Sequence, residues 1–168
     1  MTNLVILGGG YGGIKVLTGL LGATLPEDLQ ITLAVSLHAP NDNIRQSIMP
    51  IAKKYSMEQI LNVCKQYSDK TKRRITFEYA LIKDINDSES CAKELSEKLH
   101  HMLCHVNLIP VNDVKERNYN KSSEKQVQHF AQILQQRGIE TTIRRKLGSD
   151  INAACGQLRR SYQRNNTF

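Results

Sequence analysis

With 168 residues, 40% hydrophobic and 23% charged, the chain has the make-up of one soluble globular domain, or of one domain plus a fragment. An aromatic share of 5% and the lack of Trp exclude an aromatic-rich core, so Ile, Leu and Val must fill it. A formal net charge of +7 favours a polyanionic partner, because lysines and arginines that bind phosphates release counterions.

In chain order, the apolar run Leu4–Leu7 leads into Gly8-Gly-Gly10-Tyr-Gly-Gly13, and Ile14 to Leu21 follows at helical spacing. Leu25-Pro26-Glu27-Asp28 breaks that helix. Ile31 to Leu37 reads as a buried strand, left through a turn at Pro40-Asn41-Asp42. Ser56 caps a helix to about Ser68, with Met57, Ile60, Leu61 and Cys64 on one face. Arg74 to Ile82 alternates as a strand. Asp87-Ser88 starts a helix carrying Ala92, Leu95, Leu99 and Met102. His105 to Ile109 is a strand stopped by Pro110, and Ser122-Ser-Glu124 opens a helix closed by Gly138. Ile139 to Arg144 is the last strand. Strands alternate with helices throughout, which argues for parallel βα units.

The positive charge is local, in Lys70-Thr-Lys72-Arg73-Arg74, Arg144-Arg145-Lys146 and Arg159-Arg160, and a solvated basic surface fits it as well as an RNA face does. Cys64, Cys91, Cys104 and Cys155 follow no disulfide or zinc spacing, so no metal site is expected from them. Neither a leader nor a membrane span is visible. A reducing, cytoplasmic setting with free thiols is expected, without a membrane partner.

Gly8, Gly10 and Gly13 match a dinucleotide-binding fingerprint between a strand and a helix, where backbone amides approach a pyrophosphate. Asn3 to Gly13 resembles the opening of type II flavin-dependent NADH dehydrogenases, and this resemblance ends inside Ile31-Thr-Leu33. The next strand should end in an acid that accepts from a ribose hydroxyl. Ile31-Thr-Leu-Ala-Val-Ser-Leu-His38 holds none. FAD or NAD binding is disfavoured, and a glycine turn that merely packs a helix on a strand explains the motif better.

Five segments then follow in order: Leu33-Ala-Val-Ser-Leu-His-Ala-Pro-Asn-Asp42, Ile48-Met-Pro-Ile51, Arg74-Ile-Thr-Phe-Glu-Tyr79, Val106-Asn-Leu-Ile-Pro110 and Gly148-Ser-Asp-Ile-Asn-Ala-Ala-Cys-Gly-Gln-Leu158. Together, over about residues 33–160, they resemble the C-terminal part of the radical S-adenosylmethionine (radical SAM) enzymes. Those enzymes methylate C2 of an adenine in 23S ribosomal RNA and some tRNAs. The resemblance implies that Ser36, Leu37, His38 and Asn112 contact S-adenosylmethionine, and that Cys155 carries the methyl group to the RNA. In the family, one cofactor molecule methylates this thiol, and a 4Fe–4S cluster cleaves a second molecule reductively. The resulting radical takes a hydrogen from the S-methyl group, and the carbon radical adds to C2. A second cysteine resolves the adduct. Taken singly, His38 also fits a capping or core histidine, Asn112 a turn residue and Cys155 a small buried hydrophobe. The ordered set reverses those readings.

The family's cluster motif, C-x3-C-x2-C, is absent from the chain. Its glycine–glutamate cofactor segment, catalytic glutamate and second cysteine are not found either, so Cys64, Cys91 and Cys104 read as structural. The expected fold is α/β: a partial (βα) barrel of the radical SAM type with an N-terminal Rossmann-like βα unit. The expected segments are 1–32, 33–160 and a basic tail at 161–168. The expected function is RNA adenine-C2 methylation by resemblance, with catalysis lost from this chain and partners of 23S rRNA and tRNA. The alternatives are an inert recombined or chimeric α/β domain, and behind it a flavin or NAD fragment. Without a preceding strand, the one after Gln30 would present a bare edge, which Leu4–Leu7 is expected to cover.

Overall fold

A computed structural model of the chain describes residues 2–7, 19, 22, 29–114 and 117–144. Five strands form one sheet: β1 (Thr2–Leu7), β2 (Leu29–Ser36), β3 (Ile75–Leu81), β4 (Cys104–Pro110) and β5 (Glu140–Ile143). Their spatial order is their chain order, and every neighbouring pair is parallel. A sheet wound in one direction like this is an arc of a (βα) barrel.

β1 does cover the edge of β2, in register from Thr2 beside Leu29 to Leu7 beside Ala34. β2 starts at Leu29, so residues 31–33, where one resemblance gives way to the other, lie inside a strand.

Four helices and a 3-10 turn lie between β2 and β5: α1 (Asp42–Ile48), the turn Pro50–Lys53, α2 (Met57–Thr71), α3 (Glu89–Leu99) and α4 (Glu124–Gln136). Their starts follow from local chemistry. Ser56 and Gln59 form a capping box on α2, while the Ser88 and Ser123 hydroxyls accept from the amides of Cys91 and Gln126. Lys72, at φ 56°, ends α2 in the left-handed region, and Gly138, at φ 76°, follows α4.

The turn expected at Pro40–Asp42 is instead the start of a helix. Asn41 Oδ1 accepts from the Ile44 amide, and Asn41 Nδ2 reaches Glu94 of α3 at 2.7 Å. Asp42 accepts from the Met57 amide at 2.7 Å, which joins the start of α1 to that of α2. Met102, expected on α3, lies beyond its end and packs against the core from the following turn.

β3 shows why the sheet has two unlike faces. Ile75, Phe77, Tyr79 and Leu81 are buried, and the residues between them are partly exposed. The buried set joins Leu33, Val35 and Leu37 of the β2 segment, Val106 and Leu108 of β4, and the inner faces of α2, α3 and α4. Tyr79 meets Phe130 of α4 at a ring separation of 5.1 Å. Each such side chain stabilises the fold by about 1.5–3 kcal/mol. The opposite face carries Ser36, Glu78, Asn107 and Thr142 with smaller apolar residues such as Ala34 and Ala80 between them.

Candidate cofactor-binding site

Strand parity and register assemble the site. Ser36, Glu78, Asn107 and Thr142 stand side by side across β2, β3, β4 and β5, on the face opposite the core. Ser36 Oγ donates to the Glu78 carboxylate at 3.4 Å. A second row, one pleat nearer the strand starts, runs Ala34, Thr76, His105 and Glu140. His105 Nε2 lies 3.0 Å from Thr142 Oγ1, and Arg74 pairs with Glu140. The result is a curved wall of hydroxyl, amide, imidazole and carboxylate groups, suited to a hydroxyl- and amine-rich ligand.

At the C-terminal end of that wall the chain leaves β2 through Ser36-Leu37-His38. The Glu78 carbonyl accepts from both the Leu37 and the His38 amides, at 2.9 and 3.2 Å. Leu37 is fully buried in the core. His38 adopts φ 59°, a conformation that costs an L-residue roughly 1–2 kcal/mol. Its Nδ1 accepts from the Ala80 amide at 3.0 Å, so the ring proton sits on Nε2. Burial is the first cause and the Arg45 guanidinium the second in pulling His38 down to about 4. The imidazole is therefore a neutral N–H donor near pH 7, not a general acid.

Asn112 is exposed, two residues beyond β4. Since all strands are parallel, it stands at the same C-terminal edge of the sheet as His38, with β3 between them. The Val111 amide donates to the Leu81 carbonyl at 3.2 Å and holds this exit against β3. Cys155, Gly8, Gly10 and Gly13 lie outside the described residues.

Sequence reasoning missed Glu78, Asn107, Thr142 and two fully buried polar residues, Arg45 and Asn86. Arg45 Nη1 donates to the Tyr55 carbonyl at 3.2 Å. Glu78 carried a signal, as an acid at an alternate position of an otherwise apolar strand. A surface groove lined by Asp42, Leu61, Lys65, Lys98 and His101 among others runs between α2 and α3 and includes none of Ser36, His38 and Asn112.

Among the described residues, the cysteines do not fit an iron–sulfur cluster. Cys64, Cys91 and Cys104 are buried free thiols on α2, α3 and β4. Burial pushes Cys64 up to about 12 and Cys104 up to about 11, far from the thiolate a metal needs. Among the described residues, no group of three His, Cys, Asp or Glu is placed to hold a metal ion. Nor is any helix among them long and apolar enough to cross a membrane.

No family model matches the chain. A probable dual-specificity RNA methyltransferase RlmN from Clostridium botulinum (strain Eklund 17B / Type B) is 62% identical over 136 residues, which are 81% of this chain and 39% of that protein. Its counterpart from Clostridium novyi (strain NT) is 59% identical over 140 residues, covering 83% of this chain and 41% of that one. The crystal structure of a radical SAM methyltransferase from Sphaerobacter thermophilus superposes with a TM-score of 0.81 at 41% identity, covering 91% of this chain and 43% of that one. A domain of a pyruvate-formate lyase-activating enzyme from Bacteroides vulgatus, 20% identical, shares the fold at a TM-score of 0.60 and covers 78% of this chain and 74% of that one. The chain matches the RlmN group of radical SAM methyltransferases in sequence and in fold, and its parallel sheet is a partial barrel of that type. It spans about two-fifths of the length of the curated relatives it matches.

Proposed function

We propose that the chain from β2 onward is part of the catalytic barrel of a radical SAM methyltransferase that acts on C2 of adenine in 23S rRNA and tRNA. The observation that carries this reading is the sequence match, which runs at high identity through four-fifths of the chain. The polar wall at the strand ends supports it.

In this reading Ser36, Leu37, His38 and Asn112 hold S-adenosylmethionine. When bound, that molecule supplies the methyl group and, with a reduced cluster, the radical of the reaction. The Ser36 hydroxyl, oriented by Glu78, and the His38 Nε2–H donate to the ligand. Leu37 takes part by anchoring the turn between Ser36 and His38, with its side chain in the core and its amide on the Glu78 carbonyl. Asn112 offers an exposed amide that can donate and accept. Cys155 accepts the methyl group. Without cluster ligands, these 168 residues bind cofactor and RNA and do not perform the radical step by themselves.

The opening of the chain serves as a strand that extends the sheet, with no nucleotide held at Gly8, Gly10 and Gly13. The pairing of β1 with β2 favours that role. A yellow purified protein would overturn it.

The basic residues make RNA binding the direct test. Fluorescence anisotropy of a labelled 23S rRNA hairpin should give a dissociation constant that rises linearly with salt on a double-logarithmic plot. Absence of binding at low salt would contradict the RNA part of the proposal.

A further inference from the structure

Asn86 is fully buried in the turn after β3, and its side chain spends both ends on the site's frame. Nδ2 donates to the His38 carbonyl and to the Ala80 carbonyl, each at 2.7 Å. Oδ1 accepts from the Ile82 amide at 2.7 Å, and the Asn86 carbonyl accepts from the Tyr79 hydroxyl at 2.8 Å. Ala80 is thus held from both sides, with its carbonyl on Asn86 and its amide on His38 Nδ1. These bonds tie the left-handed residue after β2 to the end of β3, across 48 positions of sequence.

An amide is the side chain this place requires. It must give two hydrogens to carbonyls and take one from an amide, which aspartate and the aliphatic residues cannot do. Its fully satisfied, buried bonds also hold a backbone conformation that His38 would not keep unaided.

We propose that Asn86 is a positioning residue for the ligand site: it fixes His38 in its left-handed turn, with Nδ1 closed by Ala80 and Nε2–H presented to an acceptor atom of S-adenosylmethionine. The ligand half of this proposal rests on the reading of His38 as a cofactor contact. The positioning half does not.

The test uses the full chain and two readouts. Long-range proton–nitrogen correlation of the His38 ring should show Nδ1 bare and Nε2 protonated, with coupling from the Ala80 amide to Nδ1. Asn86→Asp keeps the shape and the Ile82 contact but loses both donors, and Asn86→Ala loses all three bonds. Each variant, measured below its own melting temperature, should lose the single-tautomer pattern and bind S-adenosylmethionine about tenfold more weakly or worse. In a His38→Ala background the same changes should alter the residual affinity by less than about twofold, since the imidazole that Asn86 positions is then gone. A protonated Nδ1 in the native chain overturns the proposal. So does an intact tautomer pattern in both variants, or an equal loss of affinity in the two backgrounds. If the ring pattern depends on Asn86 while the native chain binds no S-adenosylmethionine, the positioning half stands and the ligand assignment falls.

Discussion

His38 carries the clearest consequence at the scale of a residue. Its ordinary value of 6.5 falls to about 4 in the folded chain, through burial first and Arg45 second, against a weaker opposing backbone bond at Glu78. Between those values the unfolded chain takes up a proton that the folded chain refuses. Stability is therefore complete above the unfolded value, drops as pH falls through the window and levels off below about 4. The full gap is worth about 3 kcal/mol, with about 2 kcal/mol of it gone by pH 5. His105, lowered by burial and then by Arg74, acts in the same direction. Urea unfolding at pH 7 and pH 5 should show that loss in the native chain and a smaller one in His38→Gln. Equal losses in both would contradict the environment assigned to His38. His38 was marked as a candidate from its segment, because resemblance marks positions. Its tautomer was not, because the partner amide lies 42 residues away on another strand. Glu78, Asn107 and Thr142 were hidden for the same reason: the row they form is created by strand register, which sequence alone leaves free.

Among the elements, β1 matters most, because it pairs with β2 along its whole length. Deleting residues 1–28 exposes that strand as a long parallel edge, which invites association with other chains. The shortened protein should melt at least about 3 °C lower, the effect of about 1 kcal/mol in a chain of this size, and should aggregate sooner. An unchanged melting curve would show that β1 contributes nothing to the sheet. The helices were readable wherever a serine cap preceded an apolar stripe, as at Ser56, Ser88 and Ser123. α1 was missed because its seven residues make no such stripe and its cap sits in what reads as a turn. Only the contacts of Asn41 with Glu94, and of Asp42 with Met57, explain why those residues start a helix.

Taken as a whole, the molecule is an arc of parallel barrel with an oily outer layer of helices and a polar inner wall. That division puts every candidate ligand contact among the described residues at the C-terminal edge, where loops can reach a bound molecule. It carries an excess of positive charge, and burial raises the Cys64 and Cys104 thiols far from the range in which a thiolate forms. In the proposed function this wall holds S-adenosylmethionine between Ser36, His38 and Asn112. Calorimetric titration of S-adenosylmethionine into the native chain, His38→Ala and Asn112→Ala tests it most directly. The native chain should show saturable one-to-one binding, weakened about tenfold in each variant, as the loss of one hydrogen bond to the ligand would give. A native chain that gives no binding heat, or variants that bind as tightly as it does, would contradict it.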